Sequence, residues 1–225
     1  MKVVYAMTRN LYDKFLPTLR SLLEHNDPEK VYIMAEDPVL PIDLPEVCEV
    51  VDVSGQTYFT GGPNMDSIFT YMAMMRCTYA DLFPNEDRLL QLDIDTIICD
   101  DLTPIWEMDL EGKWIGACRE HLGTYKPFGP DYYNVGVSVH NLKQIRKDGI
   151  IPKLVDCLNA ISMQCTEQDA FNRYGQGKFA DFEIRYNECF CCGYTENPAV
   201  VHFAGVPDWY DNAAMFRFEY LQRYK

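Results

Sequence analysis

The sequence predicts an α/β fold, a mainly parallel central sheet flanked by helices. Three observations lead there. Strand-length apolar runs and helix-length amphipathic runs alternate through the first hundred of 225 residues. The strands are apolar throughout rather than alternating, as expected where helices cover both faces of a sheet. One of them, "RLLQLDIDTIICDDL" (88–102), carries acids one residue apart near its end, and such sheets bind ligands beyond the carboxyl ends of their strands.

Taken in order, "KVVYAM" (2–7) reads as a strand near the sheet centre. "LYDKFLPTLRSLLEHN" (11–26) has helical spacing, with Phe15, Leu16, Leu19, Leu22 and Leu23 on one face. "KVYIMAED" and "CEVVDVS" are the next strands, and residues 54–65, with Gly55, Gly61, Gly62 and Pro63, form a loop. The periodicity of "SIFTYMAMMRCTYADLF" predicts a helix over 67–83, followed by a strand over 88–98. "WIGACRE" and "YYNVGVSVHNL" are strands. Helices are predicted at 142–148, 151–162 and 167–175, the last with Gly175 as C-cap. "AVVHFAG" is a short strand and 212–224 a terminal helix.

The composition is that of an ordinary globular protein, 48% hydrophobic and 24% charged, and its length suits a single domain. A formal net charge of −14 disfavours binding to nucleic acid or to anionic membranes. The apolar run at the N-terminus is too short for a signal peptide, and no run approaches a membrane span of about 18 residues. A cytoplasmic location is therefore expected, with the nine cysteines reduced. Cys189, Cys191 and Cys192 cluster in "ECFCCG"; without a second closely spaced pair, buried structural thiols are expected there rather than zinc ligands.

Four segments carry candidate chemistry. In a strand, Asp93 and Asp95 would point to one side with Ile94 turned to the core. Like charges that close need a cation, and oxygen ligands suit Mg²⁺ or Mn²⁺. His202 in "VVHFAG" would be a structural histidine unless the acids need a nitrogen partner; mixed ligation would then favour Mn²⁺. "TEQDAFN" (166–172) reads as a helix start capped by Thr166, with Glu167, Gln168 and Asp169 in its first turn. Asn134 and Gly136 interrupt a strong strand, where glycine marks either a close-approaching ligand or a bulge.

These pieces, in this order, resemble glycosyltransferase family 8, the retaining enzymes that include glycogenin and bacterial lipopolysaccharide glucosyl- and galactosyltransferases. "LLQLDIDTIICDDL" is similar to the family's "YLDaDtlv.gDL" element and "YYNVGVSVHNL" to "yFNaGvmliNl". "EQDAFN" resembles "DQDilN", and "HFAG" resembles "HFtG". The resemblance implies a GT-A nucleotide-sugar-binding fold in one domain, with 1–100 as the nucleotide-binding half and 101–225 as the donor-sugar and acceptor half. It implies Mn²⁺, with Mg²⁺ second, on Asp93, Asp95 and His202. A UDP-sugar donor would contact Thr8, Asn10, Tyr12, Arg76, Asp93, Ile94, Asn134, Gly136 and Gly205, with Tyr12 flanking uracil. Gln168, Glu167 and Asp95 would serve catalysis, and a glycan, lipopolysaccharide or protein would be the acceptor. The chain departs from the family where "HFtG..KPW" becomes "HFAGVPDWYDN": Pro207 and Asp208 stand where a diphosphate-binding Lys is usual, although Trp209 is kept. Glu167 stands where Asp is usual. The rival readings are a sugar nucleotidyltransferase, which would be expected to show a basic glycine-rich loop after the first strand, and a non-catalytic nucleotide-sugar-binding protein.

Overall fold

The computed structural model describes every residue except Ile68, Thr124 and Pro207. Its strands are β1 (Lys2–Ala6), β2 (Lys30–Ala35), β3 (Cys48–Asp52), β4 (Arg88–Leu92), β5 (Thr96–Ile98), β6 (Ile115–Arg119), β7 (Tyr133–Asn141), β8 (Phe179–Asp181) and β9 (Val200–His202). Its helices are α1 (Leu16–His25), α2 (Thr70–Met74), α3 (Tyr79–Leu82), α4 (Thr103–Trp106), α5 (Leu142–Asp148), α6 (Ile151–Ala160), α7 (Thr166–Tyr174) and α8 (Phe218–Gln222).

Seven strands form one sheet in the order β3-β2-β1-β4-β7-β6-β8, and β5 pairs with β9 in a second, two-stranded sheet. β3, β2, β1 and β4 are parallel, and so are β6 and β8. β7 alone is reversed, running antiparallel to both β4 and β6. Strand alternation splits the core into two layers. Val3 and Tyr5 of β1, with Leu90 and Leu92 of β4, pack under α1 and α4 through Leu19, Leu22 and Ile105. Val4 and Leu89 point the other way, to Tyr79, Leu142, Leu154 and Phe171 from α3, α5, α6 and α7. Helices on both faces explain why these strands are apolar throughout.

Several elements differ from the sequence expectation, each for a local reason. The strand expected over 88–98 ends at Leu92. The Asp93 N–H donates to the Gly136 carbonyl at 2.8 Å, and the Thr96 hydroxyl donates to the Asp93 carbonyl at 2.6 Å. The chain turns there and leaves the sheet, to re-form as β5 against β9. The helix expected over 67–83 is broken into α2, a 3₁₀ turn at Met75–Thr78 and α3; the Thr78 hydroxyl donates to the Met75 carbonyl at 2.7 Å, competing with the helical ladder. The helix expected over 11–26 becomes a 3₁₀ turn, Arg9–Lys14, and then α1, whose first turn holds Pro17. The terminal helix shortens to α8, entered through Arg217 at φ 67°. Thr166 does not cap α7. It lies inside the first turn at φ 32°, in the left-handed region, and Cys165 precedes the helix instead. Gly175 ends α7 as expected. Among the described residues no helix is long and apolar enough to cross a membrane.

β7 also buries a histidine. His140 is 1% exposed and lies edge-on to Tyr79 and Phe171. Its Nε2 is 3.0 Å from the Ser138 hydroxyl, and its Nδ1 has no partner among the described residues. Burial, with Arg76 adding to it, lowers its pKa to about 3. An unfolded histidine titrates near pH 6.5. Between these values the unfolded chain takes up a proton that the folded chain refuses, so stability falls as the pH drops below about 6.5. At pH 5 the loss from this one group is about 2 kcal/mol. Urea unfolding at pH 7 and pH 5 should show His140→Leu losing about 2 kcal/mol less than the parent on acidification; equal losses would mean His140 is not held neutral.

Candidate functional site

The carboxyl ends of β1 and β4 open into a cleft of about 520 Å³. Asp93 and Asp95 reach it from the turn after β4, and His202 from the end of β9. The ligand atoms of all three lie within 4.8 Å of one another. His202 Nε2 is 3.5 Å from Asp93 Oδ2 and 3.4 Å from Asp95 Oδ1. Strand alternation is not what brings the two acids together, because residues 93–95 are a turn. The turn aims both carboxylates at His202 while Ile94 packs into the core below. Pairing of Thr96 with His202 fixes the third member.

Gly136 makes this geometry possible. A Cβ at that position would overlap His202 Cε1 and lie 2.5 Å from Asp93 Oδ2. The β6–β7 register also shifts here, between Ala117 and Cys118, so close approach and bulge occur together.

The imidazole is oriented from behind. His202 Nδ1 is 2.7 Å from Asn187 Oδ1, and Asn187 Nδ2 donates to Asn134 Oδ1 at 2.9 Å. That second bond fixes the Asn187 amide with its oxygen toward the ring. Nδ1 therefore keeps a proton, and Nε2 is the nitrogen that faces the acids, where a divalent cation would take the place of its proton. Asn134 Oδ1 also accepts the Gly136 N–H at 3.1 Å. Two carboxylates and one preoriented imidazole nitrogen fit a divalent metal site.

Charge compensation comes from Arg76. It is ion-paired with Asp93 and sits 3.0 Å from Glu167 Oε1. Burial works to raise the Asp93 pKa, but Arg76 and His202 outweigh it and hold the carboxyl below its ordinary value. Burial wins at Glu167, whose pKa is raised despite Arg76. Burial opposes protonation of His202, yet Asp95 and Asp93 lift its pKa well above the ordinary value.

Gln168 lines the same cleft. Its Nε2 donates to Glu120 Oε1 and to the Tyr132 hydroxyl, each at 3.1 Å, and its Oε1 accepts the Val135 N–H at 3.1 Å. Thr8 and Asn10, bonded to each other, line the near side. Gly205, at φ 66°, and Trp209 line the far side. Tyr12 is not brought to the cleft. Its ring is buried in the core layer beneath, its hydroxyl donates to Asp37 at 3.0 Å, and that same oxygen accepts the Glu36 N–H at 3.2 Å. It braces the loop after β2 instead of flanking a base. The Pro207 position lies outside the described residues. Among the described residues lining the cleft, Arg76 is the single Lys or Arg.

Sequence reasoning missed two residues. Glu120 ends the apolar run "WIGACRE", the same signal that singled out Asp93; it is 6% exposed and burial raises its pKa. Asn187 left no signal, since its partners are distant in the chain.

The profile of glycosyl transferase family 8 matches residues 46–212, and the chain belongs to that family. It is 27% identical over 206 residues to glycosyltransferase GlyE of Streptococcus pneumoniae, covering 85% of this chain and 48% of GlyE. It is 26% identical over 188 residues to a probable glycosyl transferase, Gly, of Streptococcus gordonii, covering 78% of this chain and 26% of that one. The chain thus spans less than half the length of these curated relatives. The galactosyltransferase LgtC, solved in complex with donor and acceptor sugar analogues, superposes with a TM-score of 0.76 at 18% identity, covering 99% of this chain and 94% of LgtC. The fold is GT-A.

Two substitutions test the geometry. Gly136→Ala should abolish measurable Mn²⁺ binding by calorimetry while the circular dichroism spectrum stays unchanged; wild-type affinity would show that the overlap relaxes harmlessly. Asn187→Ala should weaken Mn²⁺ about 10- to 100-fold, the usual effect of removing a group that orients a ligating histidine. Undiminished affinity would mean that Asn187 does not set the ring.

Proposed function

We propose that the protein is a retaining, metal-dependent hexosyltransferase. It moves a hexose from a UDP-sugar, UDP-glucose or UDP-galactose first, to a hydroxyl of a glycan, lipopolysaccharide or protein acceptor. The observation that carries this reading is the convergence of Asp93, Asp95 and His202 in a cleft whose walls bear Arg76, Glu167, Gln168 and Asn134. Family membership and the likeness to LgtC support it. Mn²⁺, with Mg²⁺ second, would be held by Asp93, Asp95 and His202; when bound it neutralises the diphosphate and stabilises charge on the departing UDP.

The remaining work falls to side chains. Thr8 and Asn10 hydrogen-bond the nucleoside on the near side. Arg76, ion-paired with Asp93 and Glu167, brings positive charge to the donor side. This placement supports Arg76 in compensating for the Lys that the family usually carries near position 207. Gln168 is a poor nucleophile, because its amide is neutral and delocalised, and Val135, Glu120 and Tyr132 hold it in place at both ends. It positions the sugar's lower face. Attack of the acceptor on the same face that UDP leaves, with the leaving phosphate taking the acceptor's proton, then accounts for retention. Residues 101–225 would hold donor sugar and acceptor, and 1–100 the nucleotide.

Incubation with UDP-glucose or UDP-galactose and Mn²⁺ should release UDP slowly even without acceptor. Asp95→Ala should lower that rate by at least about 10²-fold. Full activity of Asp95→Ala in saturating Mn²⁺ would rule out the metal assignment. Binding of the donor with no turnover would favour a non-catalytic nucleotide-sugar-binding protein. An inverted anomeric linkage in the product, read by NMR, would exclude the retaining class.

A further inference from the structure

We propose that Cys118, Cys189, Cys191 and Cys192 form a closed, structural tetrathiolate site for Zn²⁺ beside the carboxylate–histidine group, with ligands distinct from it. The sulfur atoms of Cys189, Cys191 and Cys192 lie within 4.8 Å of one another, and all three residues are buried. Cys189 and Cys191 sulfurs are 3.3 Å apart, close but not bonded. A tetrahedron with Zn–S bonds of about 2.3 Å has sulfur–sulfur edges of about 3.8 Å, within the range these thiols occupy. The fourth sulfur would come from β6: Cys118 is 1% exposed and packs in the same small cluster, outside the three sulfurs that lie within 4.8 Å of one another, so its side chain would turn toward them to close the site.

The backbone around the thiols is shaped as a cup. The Gly193 N–H donates to the Cys189 carbonyl at 2.9 Å, and Gly193 takes φ 130°, which a side chain would resist. This tight reversal turns the three thiols inward while Phe190 between them stays 55% exposed. The Leu122 N–H donates to the Cys191 carbonyl at 2.9 Å, which ties the cup to the segment after β6. Asn134 Nδ2 points at Cys191 Sγ from 3.7 Å, an N–H donor of the kind that supports a metal-bound thiolate. The four ligands come from two distant segments, so the ion would rivet residues 187–193 to β6. That segment carries Asn187, which orients His202, and Glu188, whose carbonyl accepts the His202 N–H at 2.9 Å. The zinc is therefore expected to hold the active site's shape from one wall of the cleft, which Cys191 lines.

The test is made on the tag-free full chain, purified under a phosphine reductant. Elemental analysis should find one equivalent of zinc in the parent and in Asp93→Ala/Asp95→Ala, and none in Cys118→Ser or Cys192→Ser. Co²⁺ replacing zinc should give an intense sulfur-to-cobalt charge-transfer band in the near ultraviolet, in the parent and in the carboxylate variant alike. If the cysteine variants do not fold, metal content and the cobalt band in the carboxylate variant still decide. A fully reduced chain that takes up neither zinc nor cobalt with that band overturns the proposal. So does zinc that leaves with Asp93 and Asp95 and stays in the cysteine variants.

Discussion

Asp93 is the side chain on which the rest of the cleft depends. It is half-buried at the point where β4 leaves the sheet, it is ion-paired to Arg76, and it faces His202 across 3.5 Å. A carboxylate in that place is unfavourable unless cations surround it, and burial alone would neutralise it. Arg76 and His202 prevent this, and a divalent ion in the same place would do so more strongly. The need to compensate this charge links elements that share no sequence: α2 and the 3₁₀ turn that presents Arg76, the turn at 93–95, β9, and the start of α7 with Glu167.

The reversal of β7 serves the same end. An antiparallel strand beside β4 lets the Gly136 carbonyl meet the Asp93 N–H at 2.8 Å, which ends β4 where the acids begin. It also places Asn134 so that one amide oxygen accepts from Gly136 and from Asn187. The resulting chain of hydrogen bonds, from the Gly136 N–H through Asn134 and Asn187 to the imidazole, leaves the polar groups behind His202 satisfied. A network of this kind fixes a ring's orientation far better than one bond would. The missing side chain at Gly136 is the steric counterpart, since the bonded arrangement has no room for a methyl group.

The parallel sheet, the family and the carboxylate–histidine group were legible in the chain because each is carried by a contiguous motif. "LLQLDIDTIICDDL" and "VVHFAG" were expected to carry metal ligands, and the fold does bring Asp93, Asp95 and His202 together, but for a partly different reason. Two acids at i and i+2 do share a face in a strand; here a turn, and not a strand, makes them converge. Tyr12, expected beside uracil, does not line the cleft: a tyrosine ring suits a core as well as a base, and here it is buried in the layer that also holds Met7 and Phe15. Thr166 had the composition of a cap, yet the strained backbone at φ 32° turns its hydroxyl to Glu167.

By itself the sequence determined what depends on local chemistry: which runs are apolar enough for a buried sheet, where the acids interrupt them, and which residue types could ligate a metal. Tertiary structure alone decided which distant groups meet. Asn187 behind His202, Glu120 beside Gln168, Arg76 on Asp93, and Cys118 in one cluster with Cys189, Cys191 and Cys192 all join segments whose spacing in the chain carries no period. Their proximity follows from sheet order and strand direction, which arise from burying both faces of the whole sheet at once and leave no mark on any short stretch of sequence.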